Sequence, residues 1–187
     1  MIAQDFLLES ARLKQQLGEN EGFLQAWQRA AQEIQVSVES GGTVYICGNG
    51  GSACDAMHFR EELVARYKRE RPGIRAHHFM DGATLTCWGN DYAYDTLFER
   101  EAKTFLREKD VLIAISTSGK SRNVIKAVEV ANALNAPTIG LLGKDGGELV
   151  NMVKHALVVP SQETDRIQEV HITLIHAFCE FLERPSA

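Results

Sequence analysis

The chain has 187 residues, 44% of them apolar and 24% charged, with a formal net charge of −5. This is enough for one full core and short for two. The acidic balance argues against a general nucleic-acid surface, and no apolar run reaches the roughly 18 residues of a membrane helix. The opening Met1-Ile2-Ala3-Gln4-Asp5-Phe6 lacks a basic leader region, so the expected location is cytoplasmic, with neither membrane nor nucleic acid as partner. Cys47, Cys54, Cys87 and Cys179 are widely scattered and read as reduced, mainly buried thiols.

Residues 2–39 read as two helices with a break near Gly18–Gly22. Their apolar stripes (Phe6, Leu7, Leu13 and Leu17, then Phe23, Trp27, Ala31 and Ile34) are wide for a monomer's surface, which predicts cover by a partner subunit. From residue 43 the pattern alternates. Strands are predicted at 43–47, 75–79, 111–115, 137–142 and 156–159, and helices at 53–67, 83–88, 94–107, 121–134, 146–152 and 163–183. Such alternation predicts an α/β fold, a parallel sheet with helices on both faces and ligands at the carboxyl ends of the strands.

Two loops at those ends suit an anion. Cys47-Gly48-Asn49-Gly50-Gly51-Ser52 follows the first strand and opens a helix, bringing bare backbone N–H groups, the Ser52 hydroxyl and a helix N-terminus to one place. Ser116-Thr117-Ser118-Gly119-Lys120-Ser121 follows the third strand. An ordinary helix cap explains any single serine there, but not four hydroxyls in six positions directly after a buried strand. Phosphate binding does explain them, because hydroxyls and amides donate to its oxygens.

His58 and Glu62 are four residues apart, so a helix places them on one face. Alone the pair better suits an exposed helix face, among the charged neighbours Arg60, Glu61 and Arg66; its position beyond the glycine loop reverses that preference. In the C-terminal helix, Gln168 and His176 share a row but lie about 12 Å apart along a straight helix, so both line one elongated pocket. His171 points elsewhere, as a surface or packing histidine. Asp91 reads as a helix cap or as a contact to a sugar hydroxyl, and the Lys144–Gly147 glycines as conformational.

Cys47–Ser52, Asp55-Ala56-Met57-His58-Phe59, Ile115–Gly119, Gly143–Gly147 and Asp165-Arg166-Ile167-Gln168-Glu169-Val170-His171 together resemble the phosphoheptose isomerases of the sugar isomerase (SIS) domain superfamily, over essentially the whole chain. The resemblance implies a three-layer αβα sandwich with a five-stranded parallel sheet. Residues 1–40 would form a helical hairpin for oligomerisation and 41–187 the α/β core, within a homotetramer whose sites lie at subunit interfaces. It further implies interconversion of D-sedoheptulose 7-phosphate and D-glycero-D-manno-heptose 7-phosphate, an early step toward the ADP- or GDP-heptose of bacterial surface glycans such as lipopolysaccharide.

By the same resemblance, Glu62 is the general base and His176 its acid/base partner. Asn49, Gly50, Gly51, Ser52, Ser116, Thr117, Ser118 and Ser121 match phosphate-loop positions, and Asp91, Asp165 and Gln168 match sugar contacts. His58, Glu62, Gln168 and His176 match the ligands of a zinc ion (Zn2+) found in some members. A rival reading is a non-catalytic SIS protein that binds the DnaA replication initiator. That type lacks the acid–base pair, whereas Glu62 and His176 are both present here. A sugar-phosphate-sensing regulator would need length for a DNA-binding domain that this chain does not have to spare.

Overall fold

The computed structural model describes residues 1–184. Two helices, α1 (Ile2–Gly18) and α2 (Glu21–Glu39), precede five strands: β1 (Val44–Gly48), β2 (Ala76–His78), β3 (Val111–Ser116), β4 (Thr138–Gly143) and β5 (His155–Val159). Between and after them come α3 (Gly51–Val64), α4 (Gly82–Asp91), α5 (Leu97–Phe105), α6 (Arg122–Ala133) and α7 (Thr164–Leu182), with short 3-10 turns at Tyr94–Thr96 and Leu149–Asn151.

All strand pairs are parallel, in the order β2-β1-β3-β4-β5. Strand alternation sorts the side chains into two layers. Val44, Ile46, Ile113 and Ile115 pack with Ala31, Ile34, Phe59 and Phe178 beneath α2, α3 and α7. Tyr45, Cys47, Leu112 and Ala114 pack with Phe98, Val124, Ile125 and Val128 beneath α5 and α6. Burial on both faces explains why the strands read as near-continuous apolar runs.

From β1 the chain runs outward to β2 and returns past β1 to β3, so the order reverses between β1 and β3, with Gly48 opposite Ile115. A crevice opens at the carboxyl ends of strands at such a reversal. The two candidate anion loops flank it.

Several elements differ from expectation. Residues 146–152 form only the 3-10 turn, because Lys144, Gly146 and Gly147 all take positive φ, outside the helical region. The helix expected over 53–67 starts at Gly51 and stops at Val64, and the one expected over 94–107 splits into a 3-10 turn and α5. β2 is a three-residue edge strand rather than 75–79. The cysteines divide evenly: Cys47 and Cys179 are buried, while Cys54 and Cys87 are exposed. Only Leu17 of α1 is buried; Ile2, Phe6, Leu7 and Leu8 are exposed.

Candidate functional site

The β1–α3 loop turns at Gly50 (φ 57°), and α3 begins at the next residue, so its N-terminus faces the crevice. Gly48 and Gly51 serve close approach. A Cβ on Gly48 would strike the backbone of Ser52, and one on Gly51 would strike the side-chain amide of Gln168 from α7. The Asn49 side chain is already occupied. It forms a reciprocal amide pair with the buried Asn123 of α6 (2.9 Å in each direction) and accepts from the Tyr94 hydroxyl at 2.7 Å. Its backbone is the part left for a ligand. This Asn49–Asn123 pair ties the two loops together; Asn123 and Tyr94 carried no distinctive sequence signal.

In the second loop Ser121 occupies the N-cap of α6 but makes no side-chain cap bond. Its hydroxyl instead lies 3.1 Å from that of Ser116, which also accepts from the Gly119 N–H at 3.1 Å. Ser118 accepts from the Lys120 N–H, and Thr117 lies half-buried between them. Gly119 takes φ 63° and packs directly on the Gly146–Gly147 turn after β4. The serine loop is thus braced from below.

His58 and Glu62 meet on α3 as the four-residue spacing predicts, Nε2 to Oε1 at 3.2 Å. The tertiary structure adds His176 from α7: its ring meets that of His58 edge-on (centroids 5.2 Å apart) and stacks on Tyr67 (5.6 Å, 19°). Donor atoms of His58, Glu62 and His176 all lie within 4.8 Å of one another. Two imidazoles and a carboxylate at that spacing fit a catalytic zinc site, which takes three protein ligands and leaves a position open.

Gln168, expected in the same ligand set, lies further toward the N-terminus of α7, over Gly51. With Cys54, Asp55, His58, Asp165, Glu169 and Ile172 it lines a cleft of about 380 Å³. His58 belongs to both the cleft and the convergent group, and so links them. Asp165, exposed in the first turn of α7, accepts from the Arg166 N–H and guanidinium, which hold its carboxyl below the usual range. Asp55 was legible only as part of a motif. Its Oδ2 is buried without a partner among the described residues, and burial pushes its carboxyl up to about 6 against the pull of His58.

Asp91 does not cap a helix. It ends α4, exposed, and accepts from Asn90 at 2.8 Å and from the Cys87 thiol at 3.6 Å. The turns that follow begin at Ala93 and Thr96 without side-chain caps. His171 is wholly buried and packs as a bonded core residue, Nε2 donating to the Leu142 carbonyl at 3.0 Å.

A doubly covered parallel sheet with hydroxyl-rich and glycine-rich loops at its reversal point defines a ligand-binding domain of the doubly wound α/β class, and a profile of the SIS domain matches residues 5–143. The chain is 43% identical to a phosphoheptose isomerase of Helicobacter pylori (strain ATCC 700392 / 26695), over 98% of this chain and 95% of that one. Two solved phosphoheptose isomerases share its fold. That from Neisseria gonorrhoeae has a TM-score of 0.90 at 37% identity, covering 97% and 96% of the two chains. That from Francisella tularensis has a TM-score of 0.92 at 33% identity, covering 98% and 97%. The chain belongs to the SIS-domain family and, within it, to the phosphoheptose isomerases.

Proposed function

We propose that the chain interconverts D-sedoheptulose 7-phosphate and D-glycero-D-manno-heptose 7-phosphate through an enediol, with Glu62 and His176 as the acid–base pair. The observation that carries this reading is the convergence of His58, Glu62 and His176 from two helices beside two loops suited to a phosphate. The Gly50–Ser52 and Ser116–Ser121 loops hold the phosphate, donating from amides and hydroxyls under two helix N-termini. With the phosphate fixed, the reacting carbons lie at Glu62, which removes the proton beside the carbonyl and returns it to the neighbouring carbon. His176 moves a proton between the two oxygens. Each positioned group contributes roughly 10²–10⁴-fold. Asp91, Asp165 and Gln168 orient the sugar hydroxyls.

His58, Glu62 and His176 would hold a zinc ion, with Gln168 approaching from the cleft; when bound, such an ion polarises a carbonyl or hydroxyl as a Lewis acid. Residues 1–40 serve as the oligomerisation hairpin of a homotetramer in the cytoplasm, and the product supplies a surface-glycan heptose such as that of lipopolysaccharide. The exposed apolar face of α1 supports the assembly.

The decisive experiment incubates purified protein with sedoheptulose 7-phosphate, with and without a chelator and added zinc, beside Glu62→Gln. We expect wild-type turnover that chelation abolishes and zinc restores, and Glu62→Gln protein that still binds the sugar phosphate but turns over at least 10²-fold more slowly. Near-wild-type turnover by Glu62→Gln sinks the base assignment.

A further inference from the structure

Glu62 and His176 stand on different helices, so their spacing is only as well defined as the seating of α3 against α7. The C-terminal ends of those helices are joined through a buried ion pair. Arg71, from the loop after α3, donates from Nη2 to the carbonyl of Glu62 itself and from Nη1 to that of Leu63, each at 2.8 Å. These are carbonyls that the end of a helix leaves without an intrahelical donor. The Arg71 Nε lies 3.2 Å from Oε1 of Glu183, off the line of a hydrogen bond, so the contact is one of charge.

Glu183 is the C-cap that follows Leu182 at the end of α7, and its side chain is wholly buried. Its two oxygens accept the successive N–H groups of Tyr67, Lys68 and Arg69, all at 2.9 Å, a backbone nest around an anion. The nest places Tyr67, whose ring lies flat on His176. The linkage therefore reaches the reacting groups twice, through the peptide of Glu62 and through the ring behind His176. Stability alone is a weak reason for it, since a buried ion pair roughly offsets its own desolvation cost.

We propose that Arg71 and Glu183 form a clamp that sets Glu62 against His176, making them positioning residues for the isomerisation and for metal binding by His58, Glu62 and His176. The proposal rests on the acid–base assignment above. The test uses the full chain carrying Arg71→Lys, Glu183→Gln or Tyr67→Leu. Arg69→Ala is the control, because Arg69 contributes only its backbone N–H to the nest while its side chain pairs with Glu180 at the surface. Folding is checked by circular dichroism and Tm. Below Tm, kcat and KM for sedoheptulose 7-phosphate are measured, together with zinc affinity of the metal-free protein by chelator competition.

In folded Arg71→Lys and Glu183→Gln protein, kcat falls about 10–100-fold and zinc affinity by a similar factor. KM stays within about threefold and Arg69→Ala matches wild type. Unchanged kcat and zinc affinity with only a lowered Tm overturn the proposal, as does an equal loss in Arg69→Ala. If neither clamp variant folds, Tyr67→Leu decides: reduced kcat and zinc affinity support the clamp, and wild-type values overturn it. Failure of the underlying assignment shows separately, as undiminished turnover by Glu62→Gln.

Discussion

His171 carries a pH dependence that its position in the core makes calculable in sign. Its Nε2 donates to the Leu142 carbonyl while Nδ1 is buried without a partner among the described residues, so a second proton would leave a bare charge inside the protein. Burial pushes the imidazole down to about 4, against about 6.5 in an unfolded chain. Between those values the unfolded chain binds the proton and the folded one does not, so stability falls as pH drops from about 6.5 to about 4. The full span is worth on the order of 3 kcal/mol. We expect urea midpoints to decline over this interval in wild type and to decline less in His171→Gln; parallel profiles would refute the assignment. At the same scale the spacing of His58 and Glu62 was legible because four residues close one helical turn. The partners of Asn49 were not, because 74 residues separate it from Asn123.

The loops and helices differ in what their glycines do. A Cβ at Gly119 would meet the Gly146 carbonyl, and its φ of 63° disfavours any side chain. Backbone cannot yield there, so Gly119→Ala should cost at least about 2–3 kcal/mol by chemical denaturation, or prevent folding. Gly51→Ala meets only the flexible end of Gln168. It should therefore keep its Tm within a few degrees of wild type while displacing Gln168 and weakening sugar-phosphate binding, measured by calorimetry. A large Tm loss at Gly51, or none at Gly119, contradicts this division. Strand and helix existence was readable from periodicity, since burial on both sheet faces demands apolar runs. Helix ends were less so. The C-terminus of α3 lies where Arg71, seven residues beyond Val64, takes up the carbonyls of Glu62 and Leu63.

At the scale of the whole molecule, α1 presents an apolar face while remaining tied to the site helix. Arg166, 3% exposed in the first turn of α7, donates to the Phe6 carbonyl at 2.7 Å and stacks over its ring, and also pairs with Asp165 and Glu169. Leu7, on the same helix, is 72% exposed. In the proposed tetramer, with subunits packed on this face, Leu7→Glu should shift the sedimenting species to smaller forms and lower activity with it; unchanged sedimentation would exclude Leu7 from the interface.

The sequence by itself determined the parallel α/β architecture, the two candidate anion loops and the residue types of the candidate site, because each depends on spacing within one element or one loop. Only the tertiary structure decided which of those residues meet. Along α7, Gln168 and His176 lie about 12 Å apart, which by sequence placed both along one elongated pocket without saying what joins them. The fold lays α3 against α7, so that His58 touches His176 on one side and lines the Gln168 cleft on the other. Contacts between helices more than a hundred residues apart depend on how the sheet seats them, and no local periodicity encodes that.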